Sequence, residues 1–346
     1  MSVVQKMANL STTDFDLTNI TYGREVLHNL GYYMKSIAEE AERINTEEKI
    51  DIIKKLISFT DLTSLNATDS FETVKKLIDK ATQPLALSLL NDSDICCAAV
   101  CIYPYFVKDA VAFRNFACAL GRSFVSIVTV AGAFPSGMYK LTTKVHECRE
   151  AKEDGADEID VVINRGLVAT RSWRGVGSDE KRDPFADFDE NHLVDRGYRI
   201  SSGHLCGSYG GNDGRHVFAF FFLFCQIPFV NLGAFSFFFF TGSSFIKSST
   251  GKEKLNSTVP GSLVICLAIR SFFLRYKRQV GFKAAGGIKT AQEAIVYYVL
   301  VKQILGERWL SREYFRIGAS ELLDDLVRTL EKLQFGKESS SVEENS

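Results

Sequence analysis

The chain of 346 residues is 46% hydrophobic and 24% charged, with 41 Lys and Arg residues against 42 Asp and Glu residues. This composition excludes a disordered chain, a collagen-like fibre and a polybasic nucleic-acid-binding protein. The length allows either two average domains or one large α/β barrel with extensions.

The N-terminal part of the chain has a helical pattern. Between Gly23 and Lys54, apolar residues recur every three or four positions among charged ones, which is typical of amphipathic helices. We therefore expect residues 1–54 to form a helical extension in front of the main domain.

Short apolar runs then alternate with amphipathic helical segments. Asp69 with Glu72, and Thr290 with Glu293, form capping-box-like helix starts, and the last helix begins near Glu321. Strands that alternate with helices predict parallel pairing. The predicted strands are residues 56–62, 98–103, 124–131, 158–164, 244–248, 280–284 and 315–319.

The spacing of these strands predicts a (β/α)8 TIM barrel over residues 55–335. The interval between Glu158 and Ser244 is about two units long, so one hidden strand would bring the seven visible strands to eight. A doubly wound open sheet is the competing architecture, but no Gly-x-Gly-x-x-Gly turn marks a dinucleotide site. We expect residues 336–346 to form a disordered tail.

The long interval contains a block, residues 171–241, that breaks the α/β pattern. Its first part is polar and aperiodic, and 11 of the 27 phenylalanines lie between Phe218 and Phe240. Three interpretations are open. The block is the product of a shifted reading frame or retained intron, a genuine insertion that carries the missing strand, or a membrane-spanning helix from Val217 to Phe240.

Three predicted strands carry an ionisable residue among apolar neighbours: Asp160, Lys247 and Lys283. Buried lysine and aspartate side chains are rare, and a structural ion pair is the plain alternative for any one of them. Two ammonium groups on consecutive visible strands repel each other, so one becomes neutral more easily. A neutral lysine is a nucleophile that forms a Schiff base with aldehydes and ketones.

Glycine-rich turns follow the same strands. Thr250, Gly251 and Lys252 come after the first lysine, Gly286 and Gly287 come after the second, and Gly318 precedes Ser320 at the start of the last helix. Such turns suit a phosphate group, because glycine lets backbone N–H groups approach an anion. Each turn alone is equally consistent with a simple reversal of the chain.

The sequence closely resembles the deoxyribose-phosphate aldolase family. The resemblance rests on DLTSLN (61–66), AAVCIYP (98–104), FPSG (134–137), GADEIDVVINR (155–165), FIKSSTGKE (245–253), GFKAAGGI (281–288) and FRIGAS (315–320). It implies a metal-free class I aldolase with no cofactor, which cleaves 2-deoxy-D-ribose 5-phosphate reversibly to D-glyceraldehyde 3-phosphate and acetaldehyde.

The resemblance also implies a role for each site residue. Lys247 matches the Schiff-base lysine, and Lys283 matches the second lysine, which depresses its pKa and donates and accepts a proton. Asp160 matches the other residue that donates and accepts the proton. The remaining positions match substrate contacts: Asp61 and Thr63 toward hydroxyls, Cys101 in the pocket, and Thr250, Gly251, Lys252, Gly286, Gly287, Gly318 and Ser320 around the phosphate.

Three departures from the family pattern stand out. The fifth strand is missing or aberrant, Ala284 replaces the proline that usually follows the second lysine, and Glu321 places a carboxylate beside the phosphate site. The alternatives are therefore another Schiff-base enzyme acting on sugar phosphates, transaldolase-like, or a non-catalytic, misfolded or membrane-associated product.

The cysteines and histidines indicate a reducing compartment and no metal site. The eight cysteines include no C-x-x-C pair, and the five histidines share no ligand spacing with them. No signal peptide is predicted from the first 30 residues. We expect a cytoplasmic protein whose partner is a phosphorylated sugar, without nucleic acid or membrane; association into a homo-oligomer is left open.

Overall fold

The computed structural model describes residues 20–85, 95–164, 166, 216–220, 243–252 and 256–343. Two helices come first, α1 (Ile20–Arg43) and α2 (Thr46–Phe59). Asn45 caps α2, because its side-chain oxygen accepts hydrogen bonds from the backbone N–H groups of Glu47 and Glu48, both at 3.0 Å. The described part of the predicted N-terminal extension is therefore helical.

The predicted first strand, residues 56–62, is wrong in its first half. Leu56 and Ile57 continue the buried face of α2 that Ile52 and Ile53 begin, at helical spacing. The strand itself starts at Thr60. A short apolar run at the end of a helix has no periodicity of its own, so the sequence did not separate the helix from the strand.

Eight strands form one parallel sheet with the order β5-β4-β3-β2-β1-β8-β7-β6. The sheet curls until its two end strands, β5 and β6, lie against each other. This is the predicted (β/α)8 architecture and not an open doubly wound sheet. The strands are β1 (Thr60–Thr63), β2 (Ala99–Ile102), β3 (Ser126–Ala131), β4 (Glu158–Val162), β5 (His216–Phe220), β6 (Phe245–Lys247), β7 (Gly281–Ala285) and β8 (Phe315–Ala319).

The strand β5 corrects the expectation that the fifth strand is missing. Its five residues lie inside the block 171–241 and pair in parallel register with β4, so that His216 lies opposite Glu158. An apolar, aromatic run suits a barrel strand, because such strands are covered on both faces. The insertion interpretation requires such a strand, whereas a membrane helix starting at Val217 is wrong for residues 217–220. The rest of the block lies outside the described residues.

Helices surround the strands. Of the two predicted capping boxes, the one formed by Thr290 and Glu293 is present, whereas Ser70 and not Asp69 caps α3. The helices are α3 (Phe71–Thr82), α4 (Val107–Ala119), α5 (Leu141–Glu153), α6 (Val259–Tyr276), α7 (Ala291–Ile304) and α8 (Leu322–Glu343), with short 3₁₀ turns at Pro104–Phe106 and Glu307–Trp309.

The last helix, α8, overlaps the segment predicted to form a tail. Its backbone is helical as far as Glu343.

The core lies between the strands and the helices, and the N-terminal helices enlarge it. Tyr33 and Ile37 of α1 are buried, and α1 lies against α6 and α7. Among the described helices, α6 alone is long and apolar enough to cross a membrane by length and composition, and half of it is buried inside the protein. Its contacts with α7 and β7 are those of a core helix.

Candidate active site

The two lysines predicted to carry the chemistry lie side by side on β6 and β7. Lys247 is the register partner of Lys283 in this parallel pair, so the two side chains project from the same face of the sheet. Only 3% of Lys247 and 1% of Lys283 is exposed. The barrel interior therefore holds two amino groups close to each other.

Asp160 on β4 joins the two lysines. Its Oδ2 accepts a hydrogen bond from Lys247 Nζ at 2.8 Å and lies 3.4 Å from Lys283 Nζ. Lys283 Nζ also donates to Oδ2 of Asp61 on β1. The four side chains, two acidic and two basic, form one buried cluster whose formal charges cancel, which is the condition under which buried charges are tolerated.

The carboxylates keep Lys283 charged. Burial by itself lowers the pKa of the Lys283 amino group, but Asp160 and Asp61 outweigh it and raise the pKa above its usual value. Lys283 therefore supplies a positive charge next to Lys247.

Cys101 on β2 completes the predicted pocket. Its thiol lies 3.7 Å from Oδ2 of Asp160, and burial together with the neighbouring Asp160 and Asp61 raises its pKa well above the usual value. The thiol therefore stays protonated and cannot act as a nucleophile near neutral pH. Its geometry fits a hydrogen-bond donor to Asp160.

One carboxylate oxygen on each acid faces the interior with its hydrogen-bonding capacity unused. Within the described residues, Oδ1 of Asp61 and Oδ1 of Asp160 are buried and have no hydrogen-bond partner. Buried carboxylate oxygens are strong acceptors that rarely stay unmatched. These two atoms are suited to accept a proton or a hydroxyl group of a bound substrate.

A second buried ion pair, Glu158–Arg316, was not predicted from the sequence. Glu158 precedes Asp160 on β4, Arg316 precedes Gly318 on β8, and the Oε1 and Nη2 atoms of the pair are 3.1 Å apart. Both side chains are almost fully buried. Charged residues inside the apolar strands EIDVV and FRIGA are the signal that would have found them.

Burial raises the pKa of Glu158 from 4.5 to about 7, although Arg316 acts in the opposite direction. A raised folded-state pKa means that the folded protein binds the proton more tightly than the unfolded chain does. Glu158 therefore lowers the free energy of unfolding as pH rises from about 4.5 to about 7, by an amount on the order of a few kcal/mol.

Replacing Glu158 with glutamine should remove this pH dependence. We expect the free energy of unfolding of Glu158→Gln to fall less steeply between pH 5 and pH 8 than that of the wild type. The difference between the two slopes should correspond to the release of at most about one proton on unfolding. Urea unfolding at a series of pH values measures the slopes. Glu153→Gln, which changes an exposed glutamate of α5, is the control, and equal slopes for all three proteins would contradict the assignment.

The predicted phosphate-binding loops follow β6, β7 and β8. Gly251, Gly286 and Gly287 have positive φ angles of 73°, 84° and 81°, a conformation that favours glycine. Thr250 is buried, and its hydroxyl accepts a hydrogen bond from Lys252 N–H at 3.0 Å. Lys252 and Ser320 are exposed. The structure thus places these loops at the carboxyl ends of neighbouring strands, as the sequence predicted.

Gly318 leaves space for the side chain of Lys283 and also precedes the loop after β8. A Cβ atom at this position would lie 3.3 Å from Cε of Lys283 and 3.2 Å from Cβ of Ala285. The absence of a side chain on β8 therefore leaves room for the Lys283 stem. The hydroxyl of Thr63, predicted to contact the substrate, donates to the carbonyl of Asp61 at 3.0 Å.

Among the described residues, no group of three or more His, Cys, Asp or Glu side chains is arranged to hold a metal ion. The arrangement that the strands do create is a buried lysine pair bridged by Asp160, with Asp61 paired to Lys283 and glycine loops at the rim. A lysine in such a setting can form and hydrolyse imines, and the carboxylates can move the accompanying protons.

Comparison with known proteins identifies the family of the chain. Residues 55–175 match the DeoC/LacD family aldolases. The chain is 40% identical to the mouse (Mus musculus) deoxyribose-phosphate aldolase and 38% identical to the human (Homo sapiens) protein of the same name, each over 282 residues that make up 80% of both chains.

Solved structures agree at the level of the fold. The apo-form crystal structure of a Toxoplasma gondii protein aligns with 82% of this chain and 98% of that protein's chain, with a TM-score of 0.61 and 20% identity. A tetrameric deoxyribose phosphate aldolase from Aeropyrum pernix covers 86% and 98%, with a TM-score of 0.52 and 19% identity. The identity of 40% and 38% to the mouse and human proteins, over 80% of both chains, shows that the chain belongs to the deoxyribose-phosphate aldolase family.

Proposed function

We propose that this chain is a class I aldolase that reversibly cleaves 2-deoxy-D-ribose 5-phosphate to D-glyceraldehyde 3-phosphate and acetaldehyde. The observation that carries the proposal is the in-register pair of Lys247 and Lys283, buried and bridged by Asp160. Its near relatives bear the name of this activity.

The chemistry begins at Lys247. Its neutral amino group attacks the substrate aldehyde, and loss of water gives an imine. The protonated imine draws electrons from the neighbouring carbon–carbon bond, so that cleavage leaves an enamine instead of a free carbanion. Protonation of the enamine carbon and addition of water then release acetaldehyde and restore the lysine.

Asp160 carries the protons for these steps. Cleavage requires a base for the hydroxyl proton of the departing fragment, and the enamine requires an acid. Asp160 contacts Lys247 directly, and its Oδ1 is buried and unmatched within the described residues.

The loops that contain Gly251, Gly286 and Ser320 hold the phosphate in this proposal. Backbone N–H groups in positive-φ turns and the N-terminal end of α8 favour an anion. Glu321 stands beside them with the opposite charge, but Lys289 Nζ lies 3.0 Å from its Oε2. This ion pair reduces the repulsion between Glu321 and a bound phosphate that the sequence alone predicts.

Removal of the Glu321 carboxylate should strengthen substrate binding. We expect Glu321→Ser to lower the KM for the phosphorylated substrate about twofold to threefold at low ionic strength, because Lys289 is then free to face the anion. Salt should abolish the gain. Steady-state kinetics measure the effect, with Glu313→Ser, another exposed position, as the control. A rise in KM would contradict this interpretation.

A direct assay tests the proposed reaction. The full chain is incubated with 2-deoxyribose 5-phosphate, and the release of acetaldehyde and glyceraldehyde 3-phosphate is measured separately. We expect the two products in equal amounts and no requirement for added metal. Turnover of ketose phosphates without cleavage of the deoxyribose ester would favour the transaldolase-like alternative.

A cytoplasmic location is part of the same proposal. Its support is that Cys96, Cys97, Cys101, Cys118, Cys148 and Cys266 are free thiols, as expected for a reducing compartment. Cell fractionation with an antibody to the protein tests the location, and recovery in a membrane pellet would contradict it.

A further inference from the structure

The backbone ladder between β6 and β7 ends directly after the two lysines, and a side chain continues it. Ser248 N–H donates to the carbonyl of Lys283 at 3.0 Å. One position further on, Ser248 Oγ accepts a hydrogen bond from Ala285 N–H, also at 3.0 Å. Ser248 is 4% exposed. A serine hydroxyl therefore takes the place of the next main-chain bond.

The same hydroxyl begins a relay that reaches α6. Ser248 Oγ donates to Ser257 Oγ at 3.0 Å, and Ser257 Oγ lies 3.2 Å from Ser262 Oγ. Ser257 N–H also donates to the carbonyl of Gly286 at 3.3 Å. Both ends of the loop after β6 are thereby fixed to the loop after β7.

A third link lies between the glycines themselves. Asn256 Oδ1 accepts a hydrogen bond from Ser249 Oγ at 3.2 Å, and Ser249 Oγ accepts one from Gly251 N–H at 3.0 Å. A Cβ atom on Gly286 would lie 2.8 Å from Asn256 Oδ1 and 2.9 Å from Gly251 Cα. The two loops are in direct contact, with their relative position set by serine and asparagine side chains.

We propose that Ser248 and Ser257 are positioning residues, which hold the loops after β6 and β7 at the separation that a phosphate group requires. The inference rests on the proposed function, because it assumes that these loops bind the phosphate. Neither serine is assigned a contact with substrate. Each acts through Ala285, Gly286 and the backbone around Gly251.

Two alanine variants test the relay. Ser248→Ala leaves Ala285 N–H buried without its acceptor, and Ser257→Ala breaks the relay without changing that contact. In the full chain, we expect each to weaken the binding of inorganic phosphate about tenfold and to raise the KM for deoxyribose 5-phosphate by a similar factor. Isothermal titration with phosphate and steady-state kinetics measure these values.

Imine formation provides the readout that separates positioning from simple loss of stability. Trapping of acetaldehyde on Lys247 by borohydride requires no phosphate, so both variants should retain it within about threefold of the wild type. Ser271→Ala, which removes another buried hydroxyl on α6, should leave both phosphate affinity and trapping at wild-type levels.

The outcomes are distinct. Phosphate affinity within twofold of the wild type in both relay variants would overturn the inference, and so would an equal loss in Ser271→Ala. If the Ser248→Ala protein does not fold, the phosphate affinity of Ser257→Ala tests the inference by itself. Failure of the proposed function would show differently, as a wild-type protein that neither traps acetaldehyde nor cleaves deoxyribose 5-phosphate.

Discussion

Replacing Lys247 with alanine is expected to abolish both turnover and covalent trapping. The amino group of Lys247 is the nucleophile of the proposed reaction, and no other described lysine occupies its position against Asp160 and beside Lys283. Loss of a catalytic nucleophile lowers kcat by about four orders of magnitude or more. Borohydride reduction in the presence of acetaldehyde, followed by peptide mass spectrometry, should label Lys247 in the wild type.

The control for this experiment is Lys108→Met, at an exposed lysine of α4. We expect it to retain both turnover and the mass shift on Lys247. Removal of Lys247 also leaves Asp160 with a single lysine partner, so the variant must be shown to fold by its thermal unfolding. A folded Lys247→Ala protein with wild-type turnover would overturn the assignment of the Schiff base.

Asp160→Asn is expected to separate imine formation from proton transfer. The amide has nearly the same shape as the carboxylate but cannot accept and return a proton. We expect the variant to trap acetaldehyde, because Lys247 remains, while cleavage falls about 10²-fold to 10⁴-fold. Exchange of the acetaldehyde methyl protons with deuterated water, followed by NMR, reports the proton transfer alone and should fall by a similar factor.

Asp109→Asn, a change on the surface of α4, is the matched control and should leave every step unchanged. Wild-type rates of deuterium exchange in Asp160→Asn would assign the proton transfer to another group. The unmatched Oδ1 of Asp61 is the alternative acceptor, and Asp61→Asn would then be the next variant to measure.

Much of the site was predictable from the sequence because its residues lie in short, distinctive strands. A lysine or aspartate inside an apolar run is conspicuous, and parallel strands bring their carboxyl ends to one face of a barrel. Lys247, Lys283 and Asp160 were found in this way, and the structure places them together. The glycine turns were found by their position directly after the same strands.

The pairing of these residues was not predictable from the sequence. The contact between Lys283 and Asp61 spans 222 positions, and which acid faces which base depends on strand tilt and closure, not on local pattern. The Glu158–Arg316 pair was missed for the same reason. Each residue is a charged side chain inside an apolar strand, but only the curled sheet brings β4 and β8 within reach of each other.

The errors in the predicted strands have local causes. Residues 56–59 were assigned to a strand because an apolar run gives no period, whereas packing on the buried face of α2 makes them helical. The position of β5 was not predicted because its surroundings lack α/β periodicity, although one interpretation of the block 171–241 included the missing strand. Its pairing with β4 is a tertiary contact, which can override a weak local signal.

The separation between Asp61 and Lys283 also affects the order of events during synthesis. Asp61 and Asp160 emerge from the ribosome long before Lys247 and Lys283, so a partly made chain contains the two buried acids without their cations. Two unpaired carboxylates cannot be buried together at neutral pH, and the nascent barrel must leave them in water. Closure of β1 against β8 therefore waits for the last quarter of the chain, and a product truncated after β6 should be a substrate for proteolysis and not a smaller enzyme.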